Sequence, residues 1–335
     1  MRFPTPLILL LTIALVSVSL FPQDATVRIQ GTFLQLTEDR SYGAPEQLRE
    51  IFEHCRDMGI SELVIQWTVF DELAFFASEG NRTSRAPVFG QLLELAAEYG
   101  ISLHVGLVSD PAFWTQIQKS HELTEQYLVR YRSRSKAAAR ELGMLLRESP
   151  GFKGWYLTEE IDDMNWLEPG RREVLFAHLS ALTGYLRQLT PEMGVAISGF
   201  SNGFADPLTL GRFWQELVET TGVTTVLFQD GVGARKLDLF SLPLYLEELQ
   251  RSLANRARLI PVTELFEQAA GPEGAFGAHP AGLERVKRQL EIARKFSSGP
   301  LFAFSTIDYM SSFAGEEAAD LAERYLQQPD PAVSR

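Results

Sequence analysis

Eight times between residues 27 and 328, a short run rich in β-branched and aromatic residues is followed by an amphipathic stretch with helical period. Strands separated by helices cannot pair as hairpins, so the alternation predicts βα units and a parallel sheet. The strand-like runs are 27–36, 62–69, 102–108, 152–158, 194–200, 223–229, 258–263 and 300–306. The helical ones fall near 45–58, 87–99, 119–148, 171–189, 207–221, 238–255, 281–297 and 316–328. Eight of each is the count that closes a single (β/α)8 TIM barrel, an α/β fold. The competing open, doubly wound sheet would want a GxGxxG turn or a phosphate loop after the first strand, and neither is there.

Glycines at Met58-Gly59-Ile60, Tyr99-Gly100-Ile101 and Thr221-Gly222-Val223 sit where helices give way to strands, as left-handed helix caps do. No linker or compositional break interrupts 24–328, so the reading is one barrel domain with a polar tail at 329–335. Residues 1–23 combine Arg2 with an apolar run from Leu7 to Phe21, the pattern of a secretory signal peptide with cleavage expected after Ser19. The expected location is therefore periplasmic or secreted. An uncleaved anchor is the competing reading of the leader, although the run is short for a membrane span of about 20 residues.

A formal net charge of −12 opposes a nucleic-acid partner, because phosphate backbones are held by clustered cations. The one basic run, Arg130, Arg132, Arg134, Lys136 and Arg140, reads as the solvated face of a helix. Cys55 is the single cysteine and shares a helical face with Leu48, Ile51, Phe52 and Met58, so it reads as a buried structural thiol. The triplet Asn81-Arg82-Thr83 matches a glycosylation acceptor, a pattern that often arises by chance. The five histidines are scattered, with neither HxH nor HExxH, so no metal and no cofactor is expected. Ser201 lacks the GxSxG elbow of a serine hydrolase.

Chemistry concentrates in two acidic strand ends, GWYLTEEIDD at 154–163 and RLIPVTELFE at 258–267. In a closed barrel such ends meet at one mouth, and two carboxyl groups there are the minimum apparatus for cleaving a glycosidic bond. One must be protonated to deliver a proton to the leaving oxygen, while the other must be charged to meet the developing cation. Alternation along the fourth strand sends Trp155 and Leu157 toward the helices and leaves Gly154, Tyr156, Thr158 and Glu160 on the inner parity, so Glu160 is favoured over the alternative Glu159. In the seventh strand Ile260 and Val262 look helix-facing although they share a parity with Glu264, and Pro261 is expected to mark a bulge that turns Glu264 inward.

Aromatic rings can stack on sugar faces, and Trp67, Trp114 and Trp166 all fall on the expected rim, whereas Trp155 and Trp214 read as core. Gln35 and Tyr156, with Asp230 and Asp308 after the sixth and eighth strands, complete the candidate substrate-binding set. Asp162 and Asp163 stand at the same rim, where they could bind hydroxyls or cap loop amides. The glycine-rich stretch 266–282 is read as a loop that could cover the site.

Four segments, GTFLQL at 31–36, GWYLTEEID at 154–162, QDGVG at 229–233 and TELFE at 263–267, resemble a bacterial family of glycosidase-like TIM barrels known as domain of unknown function family 4434. The whole alternation from 27 to 328 is also similar to clan A glycoside hydrolases. That resemblance implies a retaining enzyme with Glu160 as general acid/base and Glu264 as nucleophile, acting on a poly- or oligosaccharide. Those enzymes place an asparagine before the acid, where this chain has Glu159. The departure motivates a second reading, a barrel that binds exopolysaccharide without cleaving it, as part of a synthesis or export system. A transglycosylase is a third.

Overall fold

A strand in a closed barrel has two apolar sides, one against the barrel interior and one against the helices, so its sequence reads as a nearly continuous hydrophobic run. The computed structural model describes residues 27–38, 45–84, 87–270 and 276–328. The expected leader and polar tail lie outside the described residues.

Eight parallel strands form the barrel: β1 (Gly31–Leu34), β2 (Glu62–Ile65), β3 (Ser102–Gly106), β4 (Phe152–Ile161), β5 (Gly194–Gly199), β6 (Thr225–Gln229), β7 (Arg258–Glu264) and β8 (Phe302–Phe304). They close in the order β1-β8-β7-β6-β5-β4-β3-β2. Each is followed by a helix: α1 (Pro45–Met58), α2 (Phe89–Tyr99), α3 (His121–Leu146), α4 (Pro169–Leu189), α5 (Pro207–Thr221), α6 (Leu242–Leu253), α7 (Leu283–Phe296) and α8 (Glu316–Leu326). The TIM barrel expected from the alternation is the observed fold.

The local signals act as expected. Gly59, Gly100 and Gly222 adopt positive φ at helix-to-strand joints. Asp206 caps α5 by accepting from the N–H groups of Leu208 and Thr209, with Pro207 in the first turn, where its missing N–H costs nothing. Among the described residues, no helix is long and apolar enough to cross a membrane.

Two apolar layers result. Phe33, Val64, Tyr156, Ala196, Leu227, Ile260, Val262 and Phe302 fill the barrel interior. Their neighbours Leu34, Leu63, Trp155, Leu157, Ile197, Phe228 and Leu259 face the helices in the outer layer, together with Trp214 and Cys55. Burial pushes the Cys55 thiol up to about 12, so the thiolate is not populated near neutral pH.

This layering corrects the reading of the seventh strand. Ile260 and Val262 belong to the barrel interior, and β6 pairs with β7 in unbroken register from Thr225↔Arg258 to Gln229↔Val262. No bulge at Pro261 is needed, because Glu264 already shares the inner parity. A bulge does occur in β4, whose pairing with β5 jumps from Leu157↔Ile197 to Glu160↔Ser198. Two extra residues enter there, so parity is kept and Glu160 stays on the side of Tyr156.

Two excursions differ from expectation. The second strand stops at Ile65, and Val69–Phe70 instead joins Leu73–Ala74, Arg82–Thr83 and Val108–Ser109 in a separate four-stranded sheet. The stretch read as a glycine-rich loop is an antiparallel hairpin, Phe266–Ala270 against Phe276–Pro280.

Candidate functional site

The C-terminal ends of the strands surround a cavity of about 440 Å³ whose lining includes Glu160, Glu264, Gln229 and Lys236. Its upper walls are aromatic, with Trp67 and Trp114 among them. The two carboxyl groups, distant in sequence, thus face one cavity.

Glu264 closes β7 and is 3% exposed. Its Oε2 accepts the backbone N–H of Ala234 at 2.7 Å. That approach depends on Gly233, where a Cβ would fall 2.2 Å from the Phe266 carbonyl oxygen and 3.0 Å from Glu264 Oε2. Glu160, partly exposed on the cavity floor, accepts from Gln229 Nε2 at 2.9 Å. Lys236 places its ammonium 3.1 Å from the ring centroid of Phe200, a cation–π contact on the cavity wall.

Burial raises both carboxyls above their ordinary range, because water no longer stabilises the charged form. For Glu160 the Gln229 hydrogen bond and the Lys236 charge act against that rise. Glu264 is pushed up by burial and then by the Asp230 carboxylate behind it, against the Ala234 N–H and the charges of Lys236 and Arg285. Burial lowers Lys236 while Glu160 and Glu264 hold it up. Glu264 and Asp230 lie close enough that neither titrates alone.

Glu159 points the other way. Its Oε1 lies 2.6 Å from Nε2 of His178 on α4, with both side chains 1% exposed. It ties β4 to a helix and is not among the residues that line the mouth cavity, so the alternative catalytic candidate has a structural place instead.

The expected binding residues divide. Gln35 lines the cavity and donates to Gln66 Oε1 at 2.8 Å, while Trp67 is held by its indole N–H to the Leu36 carbonyl at 2.7 Å. Tyr156 lies beneath the cavity, fully buried, with its hydroxyl 2.8 Å from Ser198 Oγ. Trp166 is fully buried in the outer layer, because its loop folds back onto the helices. Asp230 is also buried, accepting from Gln289 Nε2 at 2.6 Å and from the Val232 N–H at 3.1 Å, so it braces the β6 and β7 ends from behind. Asp308 lines an adjoining cavity instead. Asp162 and Asp163 cap loop amides: Asp163 accepts from the N–H groups of Asn202, Phe204 and Ala205 at 2.8–3.0 Å.

Sequence reasoning did not single out Gln229, Lys236, Gln66 and Phe200 among the lining residues. Gln229 carried a signal, as the last residue of a strand. Lys236 carried none, since a turn from Gly231 to Leu237 brings it back. Among the described residues, no group of three or more His, Cys, Asp or Glu side chains could hold a metal ion.

Residues 29–314 match the family described as Domain of unknown function (DUF4434). The chain belongs to this family. It is 30% identical over 304 residues to the uncharacterized protein YbcH of Escherichia coli (strain K12), covering 90% of this chain and 95% of that one. Among solved structures it is similar to a candidate alpha-L-fucosidase from Bacteroides thetaiotaomicron, with a TM-score of 0.73, 17% identity, and coverage of 94% of this chain and 97% of the other. A chitinase from Pseudoalteromonas aurantia follows the same barrel with a TM-score of 0.52, 10% identity, and coverage of 88% and 99%. At such identities the likeness is one of fold.

Proposed function

We propose that this protein is a glycoside hydrolase in which Glu160 and Glu264 divide the work of acid and carboxylate. The observation that carries the reading is their joint presence in one cavity at the C-terminal mouth of the barrel, with an aromatic wall above them. Glu160 is the proton donor, raised by burial and opposed only by a neutral amide and one cation. Glu264 is the nucleophile. The Ala234 N–H and the Lys236 ammonium stabilise its charge, against burial and the Asp230 carboxylate, which raise its pKa. The productive form has Glu160 protonated and Glu264 ionised. Attack by Glu264 gives a glycosyl-enzyme intermediate, which water hydrolyses with Glu160 acting as base, so the anomeric configuration is retained.

Buried hydrogen-bond acceptors and stacked rings suit a carbohydrate, whose hydroxyls need partners and whose ring faces are apolar. A cleaved leader would deliver the enzyme to periplasmic or extracellular glycans. The test is reducing-sugar release from a panel of polysaccharides by the wild type and by Glu160→Gln and Glu264→Gln, with thermal melts as the folding control. Release by the wild type that both substitutions abolish is expected. Binding without release would favour the non-catalytic reading, and undiminished release by Glu264→Gln would remove the mechanism.

A further inference from the structure

A second cavity, of about 490 Å³, adjoins the central one where Gln35 and Phe304 line both. Its outer wall comes from α1, through Gln47 and Glu50, and from the segment after β8, through Asp308, Tyr309 and Phe313. A third cavity, of about 450 Å³, shares Trp114, Phe200 and Lys236 with the central one and runs out over Gln118, Met164 and Asn202. The first flank grows from the β1/β8 edge and the second from the segments after β3, β4 and β5, on the far side of the barrel order.

We infer that the three cavities form one groove across the barrel mouth, which holds several residues of a neutral or amino-sugar chain and presents an internal linkage to Glu160 and Glu264. The inference rests on the hydrolase reading for its cleavage point, but not for its binding. A site that trims chain ends needs a wall on one side of the reacting pair, whereas here both sides lead into further space. The β1/β8 flank has what a sugar residue requires. The Phe313 ring is 46% exposed and offers an apolar face, while Gln47 and Glu50 offer polar edges. Glu50 and Asp308 are its charged lining residues, and neither a lysine nor an arginine is among them. A uronic acid chain would meet like charge there, and a neutral or amino-sugar chain would not.

The probes are cello-, xylo- and chitosan-oligosaccharides of two to six residues, with oligogalacturonides of the same lengths. Each is tested with the full chain for product release, and by calorimetry with Glu264→Gln. Affinity or kcat/KM should rise about tenfold or more from disaccharide to tetrasaccharide in at least one neutral or amino-sugar series, with tetrasaccharide cut internally. Phe313→Ala, an exposed substitution, should cost about five- to tenfold on the longer chains and under about twofold on the disaccharide. Gln47→Ala should act in the same direction. A flat length dependence, equal loss at all lengths, release of monosaccharide alone, preference for oligogalacturonides or no binding of any series would overturn the groove. Length-dependent binding that Phe313→Ala weakens, without cleavage, would leave the groove standing and sink the hydrolase reading. Cleavage with no length dependence would do the reverse.

Discussion

The backbone N–H of Ala234 donates to Glu264 Oε2 at 2.7 Å across a contact that only the missing side chain of Gly233 permits. A loop after β6 thereby fixes the orientation of a carboxyl group that belongs to β7. Gly233→Ala would force its Cβ against the Phe266 carbonyl oxygen and Glu264. We expect a loss of kcat of about tenfold or more with KM changed far less, since a misplaced reacting group costs rate before binding. Equal turnover by Gly233→Ala would show that this loop does not position the carboxyl.

The raised carboxyl of Glu264 is a stability cost at high pH. From the ordinary glutamate value of 4.5 upward to its raised value, the folded chain holds a proton that the unfolded chain has lost, so this group lowers stability as pH rises through that window. Glu264→Gln should therefore be more stable than the wild type at alkaline pH and indistinguishable below the ordinary value, as read from urea midpoints across pH.

Asp230 is one cause of that elevation. Asp230→Asn should move the Glu264 limb of the pH–rate profile to lower pH. It should also cost about 1–3 kcal/mol of stability through the disturbed Gln289 hydrogen bond. An unmoved limb would remove Asp230 from the tuning of the pair.

His178 and Glu159 form a buried link between α4 and β4. His178→Ala strands Glu159 without its partner, and the expected loss is about 3–5 kcal/mol in chemical denaturation. A change of under about 1 kcal/mol would mean that water or a shifted backbone replaces the contact.

The barrel was legible because eight strand-helix alternations leave few ways to bury their apolar faces, and Gly59, Gly100 and Gly222 punctuate them. Glu160 was legible because Trp155 and Leu157 mark the helix side of β4, and the two-residue bulge after Leu157 preserves that parity. The facing of Ile260 and Val262 was misread, and a needless bulge invoked to turn Glu264 inward, because β7 is apolar on both sides and carries no sign of which layer those residues enter. Trp166 and Trp114 both follow barrel strands, and only the tertiary fold sends the first inward and leaves the second at the mouth. Lys236 is visible only in three dimensions.

The division of labour between Glu160 and Glu264 is tested most directly by comparing aryl glycosides with the natural linkage of the sugar that the panel identifies. Dinitrophenolate leaves without a proton, so in kcat/KM, which reports the first step alone, Glu160→Gln should lose about 10²–10⁴-fold on the natural linkage yet stay within about tenfold of the wild type on the dinitrophenyl glycoside. Glu264→Gln should lose both. Wild-type turnover of either substrate by Glu264→Gln, or equal loss of both by Glu160→Gln, would contradict the account.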